Sequence, residues 1–201
     1  MNSSGVFICI EGLDGSGKTT HAHRLVRNLQ TKGIDAIYTT EPSRGKLGKF
    51  IRYSLLEGTK RVPCVLEAVL FAVDRVEHIE NDVKPALKKG KVVVSDRCVY
   101  SSIAYQGAAG LDLEWIEEIN RFALPPDLAI YIDVPPEVVV KRIRRKKSVM
   151  ERLDTQQKVK DVYMKFVNNR KLLAIDGNRK KSEVEKNILN LTLRFMENHK
   201  D

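Results

Sequence analysis

A glycine-rich segment near the start of the chain, residues 12–19, reads GLDGSGKT and fits the pattern G-x4-G-K-[ST]. An apolar run at 6–10 precedes it, and apolar residues at helical spacing follow over 19–30. Glycines let successive backbone N–H groups face a phosphate chain, and the N-terminus of the next helix adds a partial positive charge. The pattern predicts a nucleotide site in which Lys18 reaches the β- and γ-phosphates and Thr19 offers its hydroxyl to Mg²⁺. The expected ATP-binding residues of this loop are Gly12, Leu13, Asp14, Gly15, Ser16, Gly17, Lys18, Thr19 and Thr20.

Strands and helices alternate along the sequence. The strand segments are apolar throughout, which is typical of a parallel sheet covered by helices on both faces. Because we find no repeat, low-complexity segment or linker, residues 1–201 are expected to form a single α/β domain with a five-stranded parallel sheet. The predicted strands are 6–10, 34–38, 92–95, 128–133 and 172–175. The predicted helices nearest the site are 19–30, 46–56 and 63–88.

Composition limits the class of protein. The 201 residues carry a formal net charge of +9, which suits an anionic partner such as nucleic acid, a membrane surface or a phosphorylated small molecule. No apolar run approaches the roughly 20 residues of a membrane-spanning helix, and the first residues do not resemble a secretory signal. Cys9, Cys64 and Cys98 lack metal-ligand spacing, so we expect reduced thiols and a cytoplasmic protein.

An acid and an arginine, Asp96 and Arg97, end the third predicted strand. Ligands of an open parallel sheet gather at the carboxyl ends of its strands. A carboxylate at this place can help to hold Mg²⁺, and the planar fork of an arginine can bind phosphate with two hydrogen bonds. We therefore expect Thr19 and Asp96 as metal ligands and Arg97 at a second phosphate group. A surface ion pair at the end of a strand is the alternative.

The segment 94–106, VSDRCVYSSIAYQ, resembles the signature of thymidylate kinases. Further motifs occur in the order of that family: EGLDGSGKTT at 11–20, TEP at 40–42, LFAVDR at 70–75, PDLAIYIDVPPEV at 126–138 and MERLD at 150–154. The resemblance covers most of the chain. It implies a P-loop kinase fold with a short mobile lid at about 142–153, and the transfer of the γ-phosphate of ATP to dTMP with Mg²⁺. The implied partners are ATP and dTMP, without nucleic acid or a membrane.

The same resemblance implies an acceptor site. Phe71 matches the residue that stacks on thymine, and Arg75, one helical turn later, matches the residue that contacts a carbonyl of the base. Asp14 matches the position that contacts the sugar hydroxyl of the acceptor, and Tyr105 matches a ring that packs against the deoxyribose. Two further positions align with polar residues around the thymine, although an ordinary amphipathic helix would explain both: Ser102 and Gln106.

Arginines are expected at both phosphate groups of the reaction. For the acceptor phosphate, Arg52 resembles the bacterial arrangement and is the first candidate, while Arg44, nearer the loop, is the second. Some members of the family place an arginine inside the P-loop, where this chain has Gly15 and Ser16.

The basic segment 141–152, KRIRRKKSVMER, falls where the family has its lid, and has seven basic residues in twelve positions. We therefore expect the lid to supply the arginine at the transferring phosphoryl group. Arg152, Arg144 and Arg145 are its candidates, and together with Lys18 and Arg97 the first of them completes the expected catalytic set. Arg142 matches the position that packs against adenine.

Two other functions stay open at this stage. Another deoxynucleotide or deoxynucleoside kinase would keep the fold and change the acceptor, which a substrate panel would reveal. A basic nucleic-acid-binding ATPase would show a long, salt-sensitive footprint. The concentration of basic residues in the expected lid favours a kinase.

The predicted long helix at 63–88 is apolar on more than one side. One stripe can face the sheet, and the opposite side then needs cover. Because thymidylate kinases are homodimers with helices at the interface, the resemblance implies a homodimer. The main stripe comprises Val65, Val69, Ala72, Val76 and Ile79, and the second side carries Leu66, Leu70 and Val73.

Cys98 stands where the family often has Tyr or His, and we expect an unreactive, half-buried thiol there.

Overall fold

The computed structural model describes residues 5–56, 62–143 and 151–198. Five strands form one parallel sheet in the order β2-β3-β1-β4-β5, which confirms the expected α/β class and the parallel sheet. The chain runs from β1 to β2 and β3 on one side of β1 and then crosses to β4 and β5 on the other side. At such a switch point the carboxyl ends of neighbouring strands, here β1 and β3, open a crevice for a ligand. The strands are β1 Val6–Gly12, β2 Ala36–Thr40, β3 Val92–Asp96, β4 Leu128–Asp133 and β5 Leu173–Asp176.

Helices cover the sheet and close the core. In chain order they are α1 Lys18–Gln30, α2 Lys46–Ile51, α3 Cys64–His78, α4 Lys84–Lys88, α5 Val99–Ala108, α6 Leu113–Ile119, α7 Pro136–Arg142, α8 Leu153–Asn168 and α9 Lys181–Asn198. Wider π-helical turns, Arg52–Leu56 and Ile79–Val83, extend α2 and join α3 to α4. The predicted helices at 46–56 and 63–88 are therefore present. Pro85 follows the second π-helical turn and has no N–H to donate within the helix.

The central strands are apolar because both of their faces are buried. Phe7 of β1 and Val93 of β3 pack with Val83 and Ala86 near the end of the long helix. Ile8, next to Phe7, belongs to the larger core instead, because successive side chains of a strand point to opposite faces. The sheet thus holds the C-terminal ends of β1 and β3 rigidly in register, with Ile10 opposite Asp96.

The second strand begins two residues later than predicted. The end of α1 uses the intervening residues, because Gly33 adopts a φ of 77° and the N–H of Ile34 donates to the carbonyl of Leu29 at 3.1 Å. Pairing with β3 then starts at Ala36, opposite Val92. The apolar character of Ile34 therefore comes from packing against the core beside the turn and not from the sheet.

The apolar pattern of the long helix left its buried side open, and the structure decides it. Of the main apolar stripe, Ala72 and Ile79 are buried, whereas Val65, Val69 and Val76 are exposed. The buried face is largely polar, and its charged or polar residues are Glu67, Asp74, Arg75 and His78. These groups are buried because partners on other elements satisfy them, and apolar periodicity alone does not identify such a face.

Within the described residues, no helix combines the length and apolar character needed to cross a bilayer.

Candidate active site

The loop between β1 and α1 curls where glycine allows it. Gly15 and Gly17 have φ values of 86° and 99°, a region in which a side chain would be strained. The backbone N–H of Ser16 donates to the carbonyl of Leu13 at 3.1 Å, which closes the turn. Lys18, which is 6% exposed, donates from Nζ to the same carbonyl at 2.8 Å. The loop is thus a backbone concavity with a buried ammonium group at its rim.

Three charged side chains meet beside this loop. Asp14 pairs with Arg97, and its Oδ1 lies 3.7 Å from Nζ of Lys18. Burial would raise the pKa of Asp14, but the guanidinium of Arg97 and the ammonium of Lys18 outweigh burial and hold that pKa below its usual value. Burial, and then the charge of Arg97, lower the pKa of Lys18. Because two cations lie beside a single carboxylate, a bound anion would stabilise this cluster electrostatically.

Asp96 and Thr19 adjoin on the other side of the loop. The hydroxyl of Thr19 donates to Oδ2 of Asp96 at 2.5 Å. The second carboxylate oxygen of Asp96, Oδ1, is buried and has no hydrogen-bond partner among the described residues. A buried carboxylate oxygen without a donor is costly unless a cation or water satisfies it. Hard oxygen donors of this kind fit Mg²⁺.

Arg97 holds an uncommon backbone conformation, with a φ of 79° in the left-handed region. Its Nη1 donates to the hydroxyl of Ser101 at 2.9 Å, and its guanidinium carbon lies 5.1 Å from the ring centre of Tyr105. Burial opposes its charge, but the carboxylate of Asp14 raises the pKa of Arg97 well above its usual value. The guanidinium is therefore a permanent cation that points to the phosphate loop.

Arg75 lies at the centre of a buried polar network between α3 and the loop after β2. Its Nε donates to Oε2 of Glu41 at 2.8 Å, and its Nη1 donates to Oδ1 of Asn120. Its Nη2 donates to the hydroxyl of Ser102 at 2.9 Å and, more weakly, to the carbonyl of Cys98 at 3.5 Å. These contacts occupy four of the five N–H groups of the guanidinium. The arginine is thereby fixed from three other elements.

The remaining predicted acceptor residues lie along the same junction of α3 and α5. Phe71 is half-buried, one turn before Arg75. Gln106 is buried and donates from Nε2 to Oε1 of Glu67 at 3.0 Å, whereas its own Oε1 is buried without a partner among the described residues. The structure therefore brings Phe71, Arg75, Ser102 and Gln106 to one junction.

The two candidates for the acceptor phosphate have different surroundings. Arg52 is partly buried and donates to the backbone carbonyls of Pro42 and Ser43, so it is tied to the loop after β2. Arg44 is exposed, and its guanidinium carbon lies 5.7 Å from the ring centre of Tyr38. Arg52 is the more firmly held, and Arg44 is the freer of the two.

The predicted lid is described only at its borders. Arg142 is exposed, with Nη2 at 3.5 Å from Oδ1 of Asn178, and Arg152 is exposed at the start of α8. Arg144 and Arg145 lie outside the described residues. A cavity adjoins Asn178 at the carboxyl ends of β4 and β5, and its lining residues are Asp133, Pro135, Lys160, Ala174, Asp176, Asn178 and Arg179.

Several residues of the site were missed from the sequence. Glu41 stands inside the TEP motif, which was noted but given no role, and Glu11 directly precedes the glycine-rich loop. Asn120 and Glu67 gave no signal, because nothing in the sequence shows that α6 and the start of α3 reach Arg75 and Gln106.

Cys98 is also more buried than expected. It is 2% exposed rather than half-buried, and burial raises the pKa of its thiol. Cys9 is buried beside it with a pKa raised well above the usual value, chiefly by burial. None of the three cysteines forms a disulfide.

Comparison with known proteins shows the family of the chain. Residues 10–188 match the family model described as thymidylate kinase. A probable thymidylate kinase of Thermococcus onnurineus is 46% identical over 171 residues, which cover 80% of this chain and 83% of the relative. The probable thymidylate kinase of Methanocaldococcus jannaschii is 42% identical over 178 residues, covering 89% and 90%. That of Staphylothermus marinus is 35% identical over 197 residues, covering 96% and 98%. The chain therefore belongs to the thymidylate kinase family.

Proposed function

We propose that this chain is an ATP-dependent nucleoside monophosphate kinase that transfers the γ-phosphate of ATP to dTMP and releases dTDP and ADP. The observation that carries the proposal is the family match over residues 10–188, which spans the phosphate loop, the Asp96-Arg97 pair and the junction of α3 and α5. Nothing observed favours another acceptor or a nucleic-acid-binding ATPase.

On the donor side, ATP binds along the loop from Gly12 to Thr20, where backbone N–H groups face the phosphates. The buried ammonium of Lys18 supports this role, because its pKa, lowered by burial and by Arg97, would be restored by a polyphosphate. Arg142 lies over the adenine. The proximity of Arg142 to Asn178 supports placing the base beside that loop.

Thr19 and Asp96 would hold Mg²⁺, and the fit of the unpartnered Oδ1 of Asp96 to a cation supports the assignment. When bound, Mg²⁺ neutralises charge on the phosphate groups of ATP. The protein's own contribution is to fix the carboxylate and the hydroxyl beside Lys18, at the ends of two paired strands.

On the acceptor side, Phe71 stacks on thymine and Arg75 donates to a carbonyl of the base. Described residues occupy four N–H groups of Arg75, and the fifth would donate to the base. Ser102 and Gln106 line the same pocket. Asp14 contacts the sugar hydroxyl, and Tyr105, 8% exposed, packs against the deoxyribose.

The acceptor phosphate is bound by Arg52, with Arg44 as the second candidate. Its carbonyl contacts place Arg52 beside the TEP loop, which supports it over the exposed Arg44. Arg97 then lies between the acceptor and donor phosphates, since it is anchored to Asp14 of the phosphate loop and to Ser101 of α5.

Phosphoryl transfer to dTMP requires little proton chemistry from the protein. The second pKa of a phosphate monoester is near 6, so the acceptor oxygen is already largely ionised at neutral pH. The barrier is the repulsion between two anions and the charge on the transferring group. Lys18, Arg97 and Arg152 stabilise that charge, with Arg152 delivered by the lid.

We also propose that two copies of the chain form a homodimer through α3. Its buried face is polar, whereas the apolar side chains on its outer face are 37–51% exposed: Val65, Leu66, Val69, Val73 and Val76. Phe50 and Tyr53 of the adjoining α2 segment are exposed as well. A contiguous apolar patch of this kind favours a partner surface, and a two-fold interface pairs the patch with itself.

Sedimentation of the wild type and of Val73→Arg tests the dimer. We expect the wild type to sediment as a dimer at micromolar concentration and the variant as a monomer. Lys84→Glu, a charge change at the start of α4 and outside the apolar patch, is the control and should stay dimeric. A monomeric wild type would contradict the interface.

The activity itself is tested by ADP release with ATP and Mg²⁺ across dTMP, dUMP, dCMP, dAMP, dGMP, UMP and thymidine. A strong preference for dTMP is expected. Equal or greater activity on dCMP or thymidine would remove the thymine pocket from the proposal and leave the phosphate loop intact. The prediction of a cytoplasmic location rests on the three reduced thiols and stays a prediction.

A further inference from the structure

Glu11 is a fully buried carboxylate at the end of β1, directly before the phosphate loop. It accepts hydrogen bonds from the backbone N–H of Cys98 at 2.9 Å and of Ser101 at 3.1 Å. Its Oε2 accepts from the hydroxyls of Ser101 at 2.7 Å and Tyr163 at 2.8 Å. These four donors, together with the thiol of Cys9 at 3.7 Å from Oε1, satisfy the charge that burial would otherwise penalise. Three of them belong to the segment that directly follows Arg97.

The hydroxyl of Ser101 is the link between Glu11 and Arg97. A serine hydroxyl has one hydrogen to donate. A carboxylate can only accept, so Glu11 draws that hydrogen toward Oε2. The oxygen of Ser101 is then left to accept from Nη1 of Arg97, which lies at 2.9 Å. Because Arg97 has only N–H groups to donate, the bond to Glu11 keeps the hydrogen of Ser101 pointed away from the guanidinium.

The backbone bonds from Glu11 fix the same place in a second way. They bind the N–H of Cys98, which caps the start of α5, and the N–H of Ser101 in its first turn, which also donates to the carbonyl of Cys98 at 3.0 Å. Arg97 precedes this turn with a φ of 79°, which costs free energy for a residue other than glycine. Anchoring the first turn of α5 to β1 keeps the segment in that conformation.

We propose that Glu11 is a positioning residue for Arg97. Through Ser101 and the first turn of α5, it holds the guanidinium between the phosphate loop and the acceptor. The proposal rests on the proposed role of Arg97 in phosphoryl transfer. The competing explanation is that Glu11 only stabilises the fold as a buried helix cap.

A double-mutant cycle on kcat separates the two explanations, since a residue that acts through Arg97 loses its effect once Arg97 is absent. Glu11→Gln keeps the shape, but its amide would donate to Ser101 and reverse the hydroxyl. We expect Glu11→Gln to lower kcat at least tenfold in the wild-type background and less than about threefold in an Arg97→Ala background. Equal fold losses in both backgrounds would overturn the proposal.

Tyr163→Phe is the matched control. It removes the hydrogen bond from the Tyr163 hydroxyl to Glu11 and the 3.1 Å contact of that hydroxyl with the Ser101 hydroxyl, and it leaves the bond from Ser101 to Glu11 in place. We expect its melting temperature to fall while kcat changes by less than threefold. If Tyr163→Phe lowers kcat as much as Glu11→Gln does, Glu11 acts through general stability and the proposal is wrong.

If Glu11→Gln does not fold, Ser101→Ala takes its place in the double-mutant cycle with Arg97→Ala. It preserves the carboxylate and removes the acceptor for Arg97, so the same loss of effect in the Arg97→Ala background is expected. Additive losses would again overturn the proposal. All variants are assayed with whichever acceptor the substrate panel identifies. If the panel identifies an acceptor other than dTMP, the proposed function is contradicted, whereas the role of Glu11 is still judged by the double-mutant cycle measured with that acceptor.

Discussion

The buried ion pair between Arg75 and Glu41 allows the sharpest prediction about stability. The two side chains are 3% and 5% exposed, and Nε of Arg75 lies 2.8 Å from Oε2 of Glu41. Removing one partner of a buried pair leaves a charge without its counter-ion and typically costs about 3–5 kcal/mol. Because Arg75 keeps its bonds to Asn120 and Ser102, we expect Glu41→Ala to lower the free energy of unfolding by about 3 kcal/mol, at the low end of that range.

Urea denaturation followed by circular dichroism measures this change. For a chain of this size, a loss of about 3 kcal/mol corresponds to a melting temperature lower by about 6–12 °C. The control is Glu80→Ala, which breaks the exposed pair of Lys84 and Glu80, whose side chains are 43% and 56% exposed. We expect the control to change the unfolding free energy by less than about 0.5 kcal/mol. A Glu41→Ala variant as stable as the control would refute the reasoning.

The same ion pair makes the free energy of unfolding depend on pH. Burial would raise the pKa of Glu41, but the charge of Arg75 and the hydrogen bond and charge of His78 outweigh burial and lower it. A carboxyl whose folded pKa is depressed stabilises the protein above its unfolded pKa, about 4.3, and loses this contribution as the pH falls through the folded pKa. The stability difference between wild type and Glu41→Ala should therefore be constant near neutral pH and shrink below about pH 4. A difference that grows on acidification would contradict the assignment.

Two further predictions concern the phosphate loop and the thiols. Gly17→Ala, at a φ of 99°, should raise the KM for ATP at least tenfold. Gly33→Ala, at a φ of 77° in an open turn far from the site, should cost similar backbone strain of about 1–2 kcal/mol and leave that KM unchanged. A thiol reagent should modify only Cys64 in the folded protein and all three cysteines after denaturation, because Cys9 and Cys98 are buried with raised thiol pKa values. The number of modified thiols is counted by absorbance. Rapid labelling of three thiols in the native protein would contradict this prediction.

Sequence patterns predict much of the candidate site because its residues lie at or shortly after strand ends. Asp96 ends β3 and Arg97 follows it, Lys18 and Thr19 open the helix after β1, and parallel strands bring their carboxyl ends to one edge. Local patterns thus sufficed for the phosphate loop and its acid–arginine pair. The resemblance to a family added Phe71 and the other acceptor residues, which periodicity alone would have left as parts of amphipathic helices.

Apolar periodicity could not identify the buried face of α3. A rule that places apolar residues inside cannot recognise a helix whose inner face is polar and fully hydrogen-bonded. Arg75 can be buried there only because Glu41, Asn120 and Ser102 reach it from three other elements. Those meetings depend on the packing of α3 against α5 and α6, which no local pattern encodes.

By itself, then, the sequence determined the order of strands and helices, the phosphate loop and the chemistry of the residues beside it, because each depends on neighbours in the chain. Tertiary structure decided which of those residues are held and by what. Glu11 shows the difference, since it looks like an ordinary end of a strand in the sequence. Its partners at Cys98, Ser101 and Tyr163 are 87 to 152 positions away, and only the packed fold brings their donors to one carboxylate.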